Sequence, residues 1–277
     1  MDVLVSNLDL WGELTDTTLV NPYGVLARGK YVWISSVKSS LVIKYEVRDG
    51  KCPKKVAEIM IPSPTGMTWG KKDTIYVASN TGAIYTLRSN DTKPTVYINI
   101  KRTPASVGGL AYHKGMLYVA VFSFGYVQVY DTTSTTPTEE VKGLVDDQLA
   151  EYGYVPIALT IECKTLYITY GNGSIVPGFG FVNSYNIKSG SLTRLVNRGV
   201  ATYPYGIAVY EDKLYVANGS GYINVYTTCG RLVDSLRLGD IPFYSDGLRG
   251  ITIECKKLYY VSANDNGKMG SLGVVSL

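Results

Sequence analysis

Several groups of residues in this chain have types and spacings that could do chemistry. Two near-identical stretches, TIECKTLYITYG from Thr160 and TIECKKLYYVSA from Thr252, each set a cysteine between Glu and Lys. Cys163 and Cys255 could therefore be matched ligands or nucleophiles. Asn80, Asn172, Asn218 and Asn264 each follow a comparable apolar segment, with Asp246 and Asp265 as the acidic candidates nearby. Amides with carboxylates are the oxygen donors a calcium ion takes. Tyr23, Tyr154, Tyr203 and Tyr205, with Phe243 and Tyr244, could form an aromatic rim that stacks on a sugar, peptide or base. Arg249 could hold a carboxylate or phosphate beside that rim, or pair with Asp246. His113 is the single histidine, which excludes a multi-His zinc site and leaves any Ser-His-Asp arrangement dependent on it. The run GNGSIVPGFG lacks the Lys-Ser/Thr of a phosphate-binding loop and leads into no helical pattern.

What positions these residues is a repeat. YVWIS, IYVAS, LYVAV, LYITY, LYVAN and LYYVS recur with aromatic markers Trp33, Tyr76, Tyr118, Tyr167, Tyr215 and Tyr259, spaced 43, 42, 49, 48 and 44 residues apart. Each marker is preceded by a short apolar strand and a tight polar turn. It is followed by a Gly/Ser/Asn loop and a third strand, and in five units by a fourth. Repeats of this period, built of four strands, are propeller blades. The final unit stops after its third strand, and VLVSNL (Val3–Leu8) can supply the missing one and close the ring. The expected fold is thus an all-β, six-bladed β-propeller in one domain. Its blades span approximately 21–62, 63–104, 105–155, 156–202, 203–247, and 248–277 with 1–9. A β-sandwich would not explain six similar units. Helical periodicity is confined to a short candidate around Val145–Glu151.

The repeat reassigns the cysteines. Cys163 and Cys255 occupy first-to-second-strand turns in the fourth and sixth units, and Cys52 and Cys229 fall in third-to-fourth-strand turns of the first and fifth. Spaced a blade or more apart, they are poorly placed for disulfides, which need Cα atoms within about 7 Å. Free thiols agree with a reducing compartment. His113 falls in another first-to-second-strand turn, on the face opposite the channel mouth. The mouth gathers the loops leading into first strands and those joining second to third strands, and it is the expected binding surface. Packing between blades is the competing role for its tyrosines, and positive-φ turns the competing role for its asparagines.

The bulk properties narrow the partners. Of 277 residues 45% are apolar, enough for a large core, and 24 are tyrosines, which suit strands. The net charge is +4, spread along the chain, and Lys51, Lys54 and Lys55 form a small cluster expected in a solvated turn. Neither makes the clustered basic face of a nucleic-acid binder. The start MDVLVSNLDL carries Asp2 where a signal peptide has basic residues, and no apolar run approaches 20 residues, so neither export nor membrane insertion is expected.

Taken in order, LVSN…LVNPYGV (Leu4–Val25), PTGM, GLAYHKGMLYVAVFSFGYVQVYD, YVP…LYITYGNG, GFGFVNSYNI, YPYGIAVYEDKLYVANGSGYINVY and DGLRG…LYYVSANDNGKMGSLG span nearly the whole chain. They resemble an uncharacterised family of six-bladed propellers related to the NHL-repeat group, with Tyr23 where that family usually has Trp. The resemblance implies the propeller fold and brings no established reaction. Many of that family carry a leader, and compact versions occur in large DNA viruses. The resulting expectation leans away from an enzyme. It is a scaffold presenting mouth residues Tyr23, Tyr154, Tyr203, Tyr205, Asp246 and Arg249 to a protein or glycan, with no cofactor, and cytoplasmic or virion-associated. The alternatives are a lactonase-like, metal-dependent hydrolase, with calcium on Asn80, Asn172, Asn218, Asn264 and Asp265, and a virion-associated protein of a large DNA virus.

Overall fold

Each repeated unit folds as a four-stranded antiparallel meander, because its apolar alternation is broken every few residues by tight polar turns. The computed structural model describes residues 14–48, 51–100, 105–134, 137–144, 153–172, 180–201, 203–238, 247–264 and 269–277. The chain opens with β1 (Leu14–Asp16). Blade one is β2 (Pro22–Arg28), β3 (Tyr31–Ser36), β4 (Leu41–Arg48) and β5 (Lys51–Met60). Blade two is β6 (Pro64–Trp69), β7 (Thr74–Ser79), β8 (Ala83–Arg88) and β9 (Thr95–Asn99). Blade three is β10 (Val107–His113), β11 (Met116–Val121), β12 (Tyr126–Asp131) and β13 (Thr138–Leu144). Blade four is β14 (Tyr154–Glu162), β15 (Thr165–Asn172), β16 (Gly180–Asn186) and β17 (Leu192–Ala201). Blade five is β18 (Pro204–Tyr210), β19 (Lys213–Asn218), β20 (Tyr222–Thr227) and β21 (Leu232–Arg237). Blade six is β22 (Leu248–Glu254), β23 (Lys257–Asn264) and β24 (Met269–Ser276), completed by β1. The fold is a six-bladed β-propeller.

The ring closes where β1 pairs with β24, Leu14 opposite Leu272 and Asp16 opposite Gly270. The closing strand is therefore Leu14–Asp16; the expected Val3–Leu8, like the candidate helix at Val145–Glu151, lies outside the described residues. Asp16 ties the closure to blade one. Its carboxylate accepts hydrogen bonds from the Thr18 amide and hydroxyl and from the Tyr45 hydroxyl at 2.8, 2.7 and 2.8 Å, and Lys55 Nζ stands 3.3 Å away. Burial works against the charge, yet these donors outweigh it and hold the carboxyl at about 2, down from its ordinary 3.8.

The core lies between blades. Trp33, Tyr76, Tyr118, Tyr167, Tyr215 and Tyr259 are all 1–6% exposed. Each sits in an apolar cluster shared with the next blade: Trp33 with Met67 and Val77, Tyr118 with Leu159 and Ile168, Tyr259 with Val25 and Ile34. A residue near the end of the next inner strand meets the marker, as Trp69 meets Trp33 edge-on at 5.1 Å and Tyr112 stacks on Tyr76 at 5.8 Å. Full burial of one such side chain is worth about 2–3 kcal/mol.

Near the axis the inner strands touch backbone to backbone. All six carry an irregular register at the same place. A small residue follows there: Gly24, Gly66, Gly109, Ala158, Gly206 and Gly250. A Cβ on Gly24 would lie 2.6 Å from the Thr65 carbonyl oxygen, and one on Gly66 would lie 2.5 Å from that of Gly108. Hydroxyls reinforce these contacts. Ser35 Oγ accepts the Gly24 N–H at 2.7 Å and donates to the Thr65 carbonyl, and Thr65 Oγ1 donates to the Val107 carbonyl at 2.6 Å.

Two outcomes are expected. Gly66→Ala costs more than about 2 kcal/mol in denaturant unfolding, whereas Gly29→Asn, with φ +57° and open space around it, is nearly neutral. Because the Asp16 carboxyl is lowered in the folded state, its contribution of about 2 kcal/mol is complete above pH 4 and is lost as pH falls towards 2. Urea titrations from pH 7 to pH 2 should show that loss in the wild type and not in Asp16→Asn.

Candidate functional site

The mouth is assembled by backbone hydrogen bonds between the two sets of loops. The residue three positions ahead of the small axial residue offers its carbonyl to an N–H at or just beyond the end of the second strand. Val37 thus donates to Asn21, Asn80 to Ser63, Phe122 to Ser106, Gly219 to Tyr203 and Ala263 to Gly247, at 2.8–3.2 Å. Three of the acceptors, Asn21, Ser63 and Tyr203, hold positive φ (55°, 41° and 53°) directly before a proline. A proline disfavours the helical region at the residue before it, and a left-handed Tyr is strained by roughly 1–2 kcal/mol. Tyr203 is held there by the loop it anchors.

The residue just before each small axial residue forms a second ring: Tyr23, Thr65, Gly108, Ile157, Tyr205 and Arg249. Three of these come together. The Arg249 guanidinium lies 4.2 Å from the Tyr205 ring centroid. Tyr203 stacks on Tyr205 at 6.1 Å with 14° between planes. The Tyr23 hydroxyl reaches across from blade one to Gly108 of blade three, where a Cβ would stand in ordinary contact with it at 3.5 Å; what requires glycine at 108 is the Ile157 carbonyl oxygen, 2.6 Å from that Cβ. Burial pushes the Tyr23 phenol up, against the pull of the nearby Arg249. Cation–π contact with a partly buried guanidinium is worth about 1 kcal/mol or more.

The other mouth candidates separate from this group. Tyr154 is 4% exposed, packed edge-on against Phe181 at 5.2 Å in the cluster between blades three and four, so its ring is core rather than rim. Asp246, Phe243, Tyr244 and Asp265 lie outside the described residues. Asn80 Oδ1 accepts the Ser106 hydroxyl at 2.8 Å. Asn218 is 1% exposed; its Nδ2 donates to the Val216 carbonyl at 3.3 Å, and its Oδ1 is buried without a hydrogen bond. Asn172 and Asn264 end the second strands of blades four and six. Among the described residues no three His, Cys, Asp or Glu side chains stand close enough to hold a metal ion.

The opposite face carries the first-to-second-strand hairpins. Cys163 and Cys255 sit there at φ 54° and 49°, the left-handed geometry such two-residue turns require. His113 ends β10 on that face. Cys229 lies in the turn after β20, but Cys52 and Lys51, Lys54 and Lys55 belong to the outer strand β5 rather than to a turn, since the chain resumes pairing immediately at Lys51. All four thiols are free and exposed. Sequence reasoning missed the bridging roles of Ser35 and Thr65 and the reach of Tyr23; aligning the six inner strands on their small residue would have exposed the second ring.

No protein-family model matches the chain. It is 25% identical, over 98% of its length and 79% of the relative's, to "Uncharacterized protein R648" of Acanthamoeba polyphaga mimivirus. To "Uncharacterized protein L690" of the same virus it is 24% identical, over 98% and 85%. Among solved structures it resembles a luciferin-regenerating enzyme (TM-score 0.65, 14% identity, 96% of each chain) and a chain of a nidogen/laminin complex (TM-score 0.62, 14% identity, 81% and 86%). At that identity the likeness is one of fold.

A thiol reagent added to the native protein should titrate all four cysteines without unfolding it. Protection of Cys163 or Cys255, or a disulfide on a non-reducing peptide map, would contradict the turn assignment.

Proposed function

We propose that the protein is a non-enzymatic scaffold that presents its channel-mouth loops to a protein or glycan partner. The observation that carries this reading is the Tyr203–Tyr205–Arg249 stack on a hydrogen-bonded loop platform, with the Tyr23 phenol in electrostatic range of Arg249. Aromatic rings with an arginine are the side chains that dominate recognition surfaces, since they bury large area at little entropic cost. A strained Tyr203 supports it further, because strain persists where the surroundings over-determine a geometry that function uses.

The hydrolase reading draws less support. Calcium takes several oxygens with carboxylates among them, whereas the group at this mouth brings a cation. Two similar proteins from a mimivirus favour a setting in a large DNA virus, cytoplasmic or virion-associated, and kinship with NHL-related propellers is part of the same proposal. No described helix is long and apolar enough to cross a membrane.

The test is a glycan array and protein cross-linking with the wild type, Tyr203→Asn and Arg249→Ala. Asn tolerates positive φ, so Tyr203→Asn should keep or raise the melting temperature while weakening the mouth's partner at least tenfold, and Arg249→Ala should weaken it too. Equal binding by all three would defeat the reading. A saturable rise in melting temperature with calcium would favour the hydrolase instead.

A further inference from the structure

The seam between blades one and two is built of rings and cations. Trp33 and Lys44 are cross-strand neighbours in blade one, on the face turned to blade two. Tyr31 stands 6.0 Å from Trp33, and Trp69 of blade two meets Trp33 edge-on. Three cations lie over these rings: Arg28 on Trp69 at 3.7 Å, Lys30 on Tyr31 at 5.3 Å, and Lys44 on Tyr31 and Trp33 at 4.0 and 5.0 Å. Arg28 has a carboxylate at Asp73 and Lys30 has one at Glu46, at 2.6 and 2.7 Å. Glu46 is shared further with Arg48. Lys44 is the most deeply buried of the three, at 8% exposure, and enters none of the described ion pairs.

Two donors are left over at this point. An ammonium carries three protons, and Lys44 Nζ has one described acceptor, the Ser89 carbonyl of blade two at 2.8 Å. Trp33 Nε1 is buried without a hydrogen-bond partner, although a buried indole N–H usually finds one. Burial alone pushes the Lys44 amine below its ordinary value, and no carboxylate works in the other sense. A buried charge is normally paired. Ring faces ease the ammonium but supply no counter-charge. A water accepting from both donors would bring two protons of its own, and the described contacts offer those only ring faces. An anion satisfies both donors and brings none. Because the indole N–H is buried, the occupant is compact, without the spread of a carboxylate.

We propose that a single chloride ion binds between Lys44 Nζ and Trp33 Nε1 and completes the charge balance of this seam. Since Lys44 reaches blade two through Ser89, the ion fastens the first blade to the second. This site is independent of the channel mouth and of the function proposed for it.

Chloride, bromide and acetate test this on the full chain, starting from a chloride-free sulfate buffer of constant ionic strength. Chloride should move the Trp33 indole N–H resonance saturably and raise the melting temperature. Bromide should do the same, and crystals soaked in it should give an anomalous peak in contact with Lys44 Nζ and Trp33 Nε1. Acetate should bind at least tenfold more weakly. Lys44→Met, which keeps a stem among the rings, should weaken chloride at least tenfold. Lys30→Met, which removes a cation already paired with Glu46, should leave it within about twofold. Absence of a saturable Trp33 shift, absence of the bromide peak, acetate binding as tightly as chloride, or full affinity in Lys44→Met would each overturn the proposal. Arg249→Ala should leave chloride binding unchanged, so failure at the mouth and failure here are distinguishable.

Discussion

Everything in this molecule depends on how closely its inner strands approach the axis. Backbone meets backbone because Gly24, Gly66, Gly109, Gly206 and Gly250, with Ala158 in the sixth place, occupy one position in successive strands. Larger side chains there would push blades apart, and the clusters around Trp33 and the tyrosine markers would lose their facing partners. The irregular register at the same spot turns the preceding residue out of the sheet pattern, so a packing requirement also decides which six side chains ring the channel. In blade one that residue is a tyrosine whose hydroxyl reaches blade three, where the same residue is a glycine pressed against the Ile157 carbonyl. The site is thus a by-product of the constraint that builds the fold, specialised by a few substitutions.

Much of the architecture was legible because the repeat reports on contacts that recur. The six aromatic markers announce six inter-blade slabs, and each is buried as its apolar flanks imply. The polar turns between first and second strands are legible for a different reason. Gly29, Lys114-Gly115, Glu211-Asp212 and Cys255-Lys256 differ in chemistry but share positive φ, so what repeats is a backbone geometry that many short polar pairs can adopt. This is why Cys163 and Cys255 look matched: each fills the same left-handed position of a first-to-second-strand turn.

The site was less legible, since its members come from different blades and no local pattern links them. Tyr154 and Tyr205 occur in similar surroundings, Tyr-Val-Pro and Pro-Tyr-Gly, yet a shift of three positions relative to the register irregularity sends one ring into the core and the other to the mouth. Cys52 and its neighbouring lysines read as a turn because Asp49, Gly50 and Pro53 cluster nearby, whereas an outer strand tolerates a proline at its unpaired edge.

The closure at β1 and β24 has a consequence in time. Blades one to five are each local in sequence and can assemble in the order they are made. The sixth joins β1 to β24, segments far apart in sequence, and contacts of such separation form slowly. Until they do, Val25, Val32 and Ile34 present an apolar wall to water with nothing against it. The half-built arc is therefore the species most exposed to self-association, and a cell making this protein has most need of a chaperone in the interval before β1 and β24 meet.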